Sequence, residues 1–407
     1  MSDAPGPSRR VALLTTVAAA ALFLLLAVWL VPWHPYEGAL DLPAPDQVFS
    51  TEHLATAEAY ADRARLWSRL SLVVSLAVSC VIGFTRVGRA LTDRLRGPWW
   101  LRTVEAVVVL AVIGRLVVLP FSIQLRRGQL EAGLSTQSWA GYARDVLVAE
   151  AINVVAVSLV LVVLMTCVRL LPRVWPAVAA ILAAALVMLG SYVYPVLVEP
   201  LSHDFASLPA GALRTQVLNL ADAEGVAVDD VLVVDASRRT TTLNAYVSGF
   251  GSTRRVVLYD NLVEELPRDE ALSVVAHELA HAKYDDVLLG SLLGATGAAA
   301  AVGALGLIAT RRRTSLGDPA SVPWLLACFA IGSLLVLPVQ NTISRQIEAR
   351  ADVVALETTQ DPEAFIALQK QLAQSSLADP QPAGWSQFVF GSHPTALQRI
   401  ALAHRWE

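Results

Sequence analysis

Val274-Val-Ala-His277-Glu278-Leu-Ala-His281 is followed, a few residues on, by an unbroken apolar run at 287–310. On a helix, residues four apart lie one above the other, so His277 and His281 present two imidazoles to a single cation. Glu278, one position round the helix, reaches water bound to that cation. This is the H-E-x-x-H spacing of zinc hydrolases; the plainer alternative is a pair of surface histidines on an amphipathic helix. The apolar run sets the location. A helix needs about 20 apolar residues to cross a hydrocarbon core of about 30 Å, so the two histidines stand just outside a membrane.

A catalytic zinc takes three protein ligands and keeps one position open. A third histidine immediately downstream would need Gly at 284 and His at 287, and the chain has Tyr284 and Val287 instead. Ser344-Arg-Gln-Ile-Glu348-Ala-Arg-Ala-Asp352 offers a distant carboxylate. Glu348 can ligate, while Asp352, four residues on, can accept a hydrogen bond from the far nitrogen of a ligand histidine. Taken alone this pair also reads as a solvated acidic stripe. Two apolar runs separate His281 from Glu348, and an even number of crossings returns the chain to the side it left, so the three groups can meet at one membrane face.

Composition extends the membrane reading to the whole chain. Of 407 residues, 55% are hydrophobic and 16% charged, against about 25% charged in a soluble domain. Net charge is −4, which excludes a phosphate-backbone binder and with it nucleic acid as a partner. Seven stretches are long and apolar enough to span: 11–32, 68–85, 104–121, 146–170, 174–198, 287–310 and 320–342. The first is too long for the core of a secretory signal, and Trp29 and Trp33 close it as an interfacial belt. Arg115 lies in the third, where it either snorkels to the interface or lines a polar space between helices. Gly290, Gly294, Gly297 and Gly303 in the sixth permit close helix contacts. Cys80, Cys167 and Cys328 all sit in apolar runs, so no disulfide framework or thiolate metal site is expected.

The expected fold is mainly α and polytopic. Residues 1–199 carry five transmembrane helices, 200–286 form a water-facing region with the H-E-x-x-H helix, 287–342 hold helices six and seven, and 343–407 form a helical C-terminal part. Strand-like runs at 230–235 and 255–259, with Gly249 and Gly251 as a turn, predict a small antiparallel sheet. Arg9 and Arg10, then Arg86, Arg89, Arg94, Arg96 and Arg102, then Arg169 and Arg173, then Arg311, Arg312 and Arg313 all fall on one side of the membrane. The positive-inside rule makes that side cytoplasmic and puts the candidate site outside the cytoplasm.

With these residues in place the chain resembles the membrane-integrated zinc metallopeptidases typified by the type I CaaX prenyl endopeptidase. The resemblance rests on the histidine motif, Asn244-Ala-Tyr-Val-Ser-Gly249 with Arg255-Val-Val-Leu-Tyr-Asp260-Asn-Leu, Ser344-Arg345 with Glu348 and Ala351-Asp352, Ser392-His393-Pro394 with Arg399, and Gly133-Leu-Ser-Thr-Gln-Ser138. It implies seven helices enclosing a chamber, capped by a gluzincin-like zinc metallopeptidase domain holding one Zn2+ per chain on His277, His281 and Glu348. It further implies that His393 lies near the substrate, with Arg399 and Asn244 as candidate substrate-binding residues, and that the active site faces the cytoplasm, against the arginine count. Two departures bear on substrate preference. The chain reads Thr240-Thr-Thr-Leu243 where the family has small polar residues and a His, and Asp260-Asn-Leu-Val263 where it has Asp-Thr-Leu-Leu.

The expected chemistry is peptide hydrolysis with Glu278 as general base and His393 as a donor to the oxyanion. An exposed strand edge near Asn244 would take the substrate as an added strand; Asn244 also reads as an ordinary turn residue. Substrates would be prenylated CaaX peptides or misfolded membrane proteins. A non-catalytic polytopic receptor or scaffold with a structural metal is the rival, but such a site needs no base and closes its fourth position.

Overall fold

The computed structural model describes residues 7–193, 204–248, 254–311 and 315–407. Five long helices open the chain: α1 (Arg9–Leu30), α3 (Thr51–Phe84), α5 (Trp99–Glu131), α6 (Trp139–Leu170) and α7 (Trp175–Val193), with short helices α2 (Pro45–Val48) and α4 (Arg86–Thr92) between them. Two more, α11 (Asp286–Ala309) and α12 (Val322–Thr359), bring the helices able to span a membrane to seven among the described residues. Several outrun the apolar stretches that mark them. α3 begins at Thr51, so its polar first half stands clear of the membrane, and α12 continues unbroken from the seventh span through Glu348 and Asp352. The last residues expected in the fifth span lie outside the described residues.

The spanning helices pack in a ring. α1 lies on α11, α11 on α7, α7 on α6, α6 on α5, α5 on α3, and α3 on α12. One end is closed by a core including Ala106, Met165, Trp175, Ala309 and Val322. At the other end Ala27 of α1, Val31 just after it, Leu289 and Leu293 of α11 and Ile343 of α12 meet and complete the ring. Of the four glycines expected to permit close approach, Gly303 does so most tightly: a Cβ there would stand 2.7 Å from the Thr16 backbone nitrogen. Gly290 faces open space. Arg115 has a partner on the neighbouring helix. Its Nε donates to Glu150 Oε2 at 3.0 Å, pairing α5 with α6; within an apolar span an unpaired charge is costly.

The water-facing part is built on four strands: β1 (Phe205–Ser207), β2 (Asp230–Val234), β3 (Ala245–Ser248) and β4 (Arg255–Tyr259). Their order is β1-β2-β4-β3. The expectation of an antiparallel sheet needs correction, because the sheet is mixed. β1–β2 and β3–β4 are antiparallel, but β2–β4 is parallel, with Asp230 opposite Arg255 and Val234 opposite Tyr259. The reason is visible in β4. Val256, Val257 and Leu258 are buried in succession, which marks a strand covered on both faces, and β4 takes the inner place beside β2 while β3 is left at the edge. The expected turn at Gly249 and Gly251 lies outside the described residues.

Helices α8 (Ala212–Glu224), α9 (Asp260–Glu265) and α10 (Arg268–Lys283) cover one face of this sheet. Val217, Val231, Val256, Leu258, Leu262, Val275 and Leu279 fill that core, each contributing about 1.5–3 kcal/mol by burial. Helices α13 (Pro362–Ser376), α14 (Gly384–Phe390) and α15 (Ala396–Ala403) close the chain. The loop 133–138 ties the membrane ring to the strand region: Ser135 Oγ donates to Arg239 O at 2.6 Å, Thr136 Oγ1 to Ser237 O at 2.6 Å and Thr241 Oγ1 to Gly133 O at 3.0 Å.

Candidate metal centre and active site

α10 carries His277 and His281 on one face, with their Nε2 atoms 3.2 Å apart. α12 brings Glu348 against them from the membrane side. Its Oε2 is 3.3 Å from His277 Nε2, and its Oε1 is 3.7 Å from His281 Nε2. One ligand atom from each residue lies within 4.8 Å of the others. Ligands about 2.1 Å from a tetrahedral zinc stand roughly 3.4 Å from one another, so these three groups fit around a single ion of that size.

Each histidine has a carboxylate behind it. His277 Nδ1 is 2.9 Å from Asp352 Oδ1, and Asp352 is fully buried. Arg399 compensates that buried charge: its Nε donates to Asp352 at 2.9 and 3.1 Å, and its Nη2 lies 3.3 Å from His277 Nδ1. Burial pulls the His277 imidazole down, but the carboxylates of Asp352 and Glu348 outweigh it and hold it up to about 10. On the other histidine, His281 Nδ1 is 2.9 Å from Asp286 Oδ2, and Asp286 is in turn paired with Arg350.

Asp286 is the residue that sequence reasoning overlooked. The H-E-x-x-H helix does not run on into the sixth span. It stops at Tyr284, and Asp285 adopts a left-handed conformation with φ of 52°, which an Asp tolerates better than most residues. That break turns the chain and swings Asp286 back against His281. The Asp285-Asp286 pair, which begins four residues beyond His281, was the available signal.

Glu278 is half-buried and lines, with the three candidate ligands, a cavity of about 360 Å³. Burial pushes its carboxyl above the usual range, against the opposing pull of His277 and His281, as suits a group that must accept and release a proton. His393 is 60% exposed, yet its Nε2 stands 3.4 Å from Glu348 Oε1. Asn244 lies at the entry to β3 and lines the same cavity, with its carbonyl accepting from Tyr259 N at 3.0 Å. Arg399 lines it too, although its strongest partner is Asp352. The two departures from the family pattern meet in space: Asn261 Nδ2 donates to Thr242 O at 3.1 Å, and both segments brace the chain entering β3.

The ring of spanning helices and the two-histidine, one-glutamate group at its mouth define an integral-membrane metallopeptidase. Residues 207–407 match peptidase family M48, and residues 41–203 match the CAAX prenyl protease N-terminal family, described as five membrane helices. The uncharacterized metalloprotease YhfN of Bacillus subtilis is 31% identical over 76% of this chain and 74% of its own. A CAAX prenyl protease 1 homolog of Oryza sativa is 29% identical over 54% of this chain, and the match spans 53% of that relative. The crystal structure of S. mikatae Ste24p superposes with a TM-score of 0.76 over 97% of this chain and 99% of that one, at 18% identity, a likeness of fold. The chain belongs to peptidase family M48 and is a multi-pass membrane metalloprotease.

If Asp286 fixes the ring and tautomer of His281, Asp286→Asn should weaken metal binding by about tenfold to a hundredfold, the usual cost of losing such a partner. Titration of the purified, metal-stripped variant with zinc against a competing chelator checks this. Wild-type affinity in the variant would remove Asp286 from that role.

Proposed function

We propose that this protein is a zinc-dependent endopeptidase that cleaves hydrophobic, CaaX-type or misfolded membrane-protein substrates at the bilayer surface. The observation that carries the reading is the convergence of His277, His281 and Glu348 within 4.8 Å, with Glu278 in the same cavity. A purely structural metal site would need no such base.

His277, His281 and Glu348 would hold the ion, which when bound supplies a Lewis acid that acidifies water and polarises the scissile carbonyl. Glu278 takes the proton of the attacking water and passes it to the departing amine. Asp352 and Asp286 orient the two imidazoles. His393 donates a hydrogen bond to the oxyanion as the carbonyl becomes tetrahedral. β3 is the outer strand beside β4, and a peptide laid along it gains main-chain hydrogen bonds without sequence selection. Asn244, at the start of that strand, is placed to meet it. Arg399 contributes mainly through Asp352, while its cavity face is open to substrate.

Prenylated CaaX peptides are favoured by the likeness to the CAAX prenyl protease 1 homolog of Oryza sativa. Unmodified hydrophobic segments are favoured by the grip of a strand edge, which reads no side chains. Purified protein should cleave at least one of these peptide classes, and a chelator should stop it. Glu278→Gln should retain zinc and lose turnover by several orders of magnitude, whereas His277→Ala should lose the zinc itself. Full cleavage by Glu278→Gln would refute the base assignment.

The arginine-rich loops support an N-terminus in the cytoplasm and a site on the opposite side. A reporter active only in the cytoplasm, fused after Glu407, should therefore stay silent. Strong signal from it would reverse the orientation.

A further inference from the structure

The chain that carries the exposed His393 is held by side chains that grip its backbone, while the imidazole meets Ser392 Oγ at 2.9 Å through Nδ1. α12 presents Asn341, Arg345 and Glu348 toward the last turn of α14 and the residues that follow it. Asn341 Nδ2 donates to Val389 O at 2.6 Å. Arg345 Nη1 donates to Gln387 O at 3.1 Å and to Gly391 O at 2.5 Å. Gln387 then bridges forward, its Nε2 donating to His393 O at 2.7 Å. The imidazole at the end of this chain of contacts is the one 3.4 Å from Glu348 Oε1. Since Arg345 and Glu348 are one helical turn apart, a single rigid helix carries both a ligand and the anchor of the residue facing it.

Gly391 completes the device. Its φ of −81° and ψ of 110° suit any residue, so its backbone does not require glycine. What a side chain there would displace is the Gln387 amide: a Cβ at 391 would stand 2.2 Å from Gln387 Oε1, and that flexible group would have to swing aside. Glycine there leaves room for the Gln387 amide to reach the His393 carbonyl.

We propose that Arg345 and Gln387 are positioning residues that form a two-armed clamp on the 391–393 segment and set His393 at the distance its catalytic role requires. The clamp rests on the endopeptidase reading above, in which His393 donates to the oxyanion. A displaced donor weakens transition-state contacts without changing how the ground-state peptide binds.

The test is a set of kinetic cycles on metal-loaded, full-length protein. Gln387→Ala should lower kcat by about tenfold to a hundredfold, with KM and zinc content unchanged, the pattern of an interaction made only in the transition state. Gly391→Ala should reproduce that loss by pushing the Gln387 amide off its bond. Combining the two should cost no more than Gln387→Ala alone, and adding Gln387→Ala to His393→Ala should cost nothing further. Arg345→Lys, which keeps a donor but loses the fork, should fall between wild type and Arg345→Ala. Additive losses in either double variant, or a changed KM or zinc content with kcat intact, would overturn the clamp. If wild type shows no metal-dependent cleavage, the endopeptidase reading itself fails; if His393→Ala retains full turnover, its donor role fails and the clamp with it.

Discussion

Two imidazoles on α10 and one carboxylate on α12 must meet within a few ångströms, and every larger feature of the fold serves that meeting. α10 is held from behind by the sheet, through Val275 and Leu279. α12 is held from below by the membrane ring, through α3 at its flank and Ile343 at its mouth. Because α12 continues unbroken from the bilayer to Thr359, the position of Glu348 is fixed by the packing of the seventh span. The site is therefore shared between a water-facing fold and a membrane fold, and neither alone contains it.

The charges around the trio show why it is rigid. Asp352 is buried, and Arg399 from α15 meets it with two donors, Nε and Nη2. Removing one member of such a pair leaves an uncompensated charge at a cost of about 3–5 kcal/mol. Arg350 stands in the same relation to Asp286 and also lies 4.0 Å over the Tyr284 ring. Each imidazole is thus set by a carboxylate that is itself set by an arginine. The geometry of the trio depends on elements as distant in the chain as the helix break at 285 and the last helix.

What the sequence disclosed follows from the range of the interactions involved. The histidine pair and Glu278 were readable because helical periodicity is local, and Glu348 followed from counting membrane crossings. The seven spans were readable because lipid imposes a length of apolar chain. Asp286 was not, since its role depends on a left-handed residue at 285 that redirects the chain. The parallel pairing of β2 and β4 was missed for a related reason: strand order is set by which strand is buried on both faces, and only the run Val256-Val257-Leu258 hinted at it. The partner of Arg115 is Glu150 on the next helix, a tertiary contact with no signature in spacing.

The most direct measurement is metal analysis with X-ray absorption spectroscopy on protein purified in detergent at neutral pH. The expected result is one zinc per chain in a shell of two imidazole nitrogens and carboxylate oxygen, at about 2.0–2.2 Å and with no sulfur. Protein that binds no zinc, or a shell without imidazole, would contradict the metal centre built by His277, His281 and Glu348.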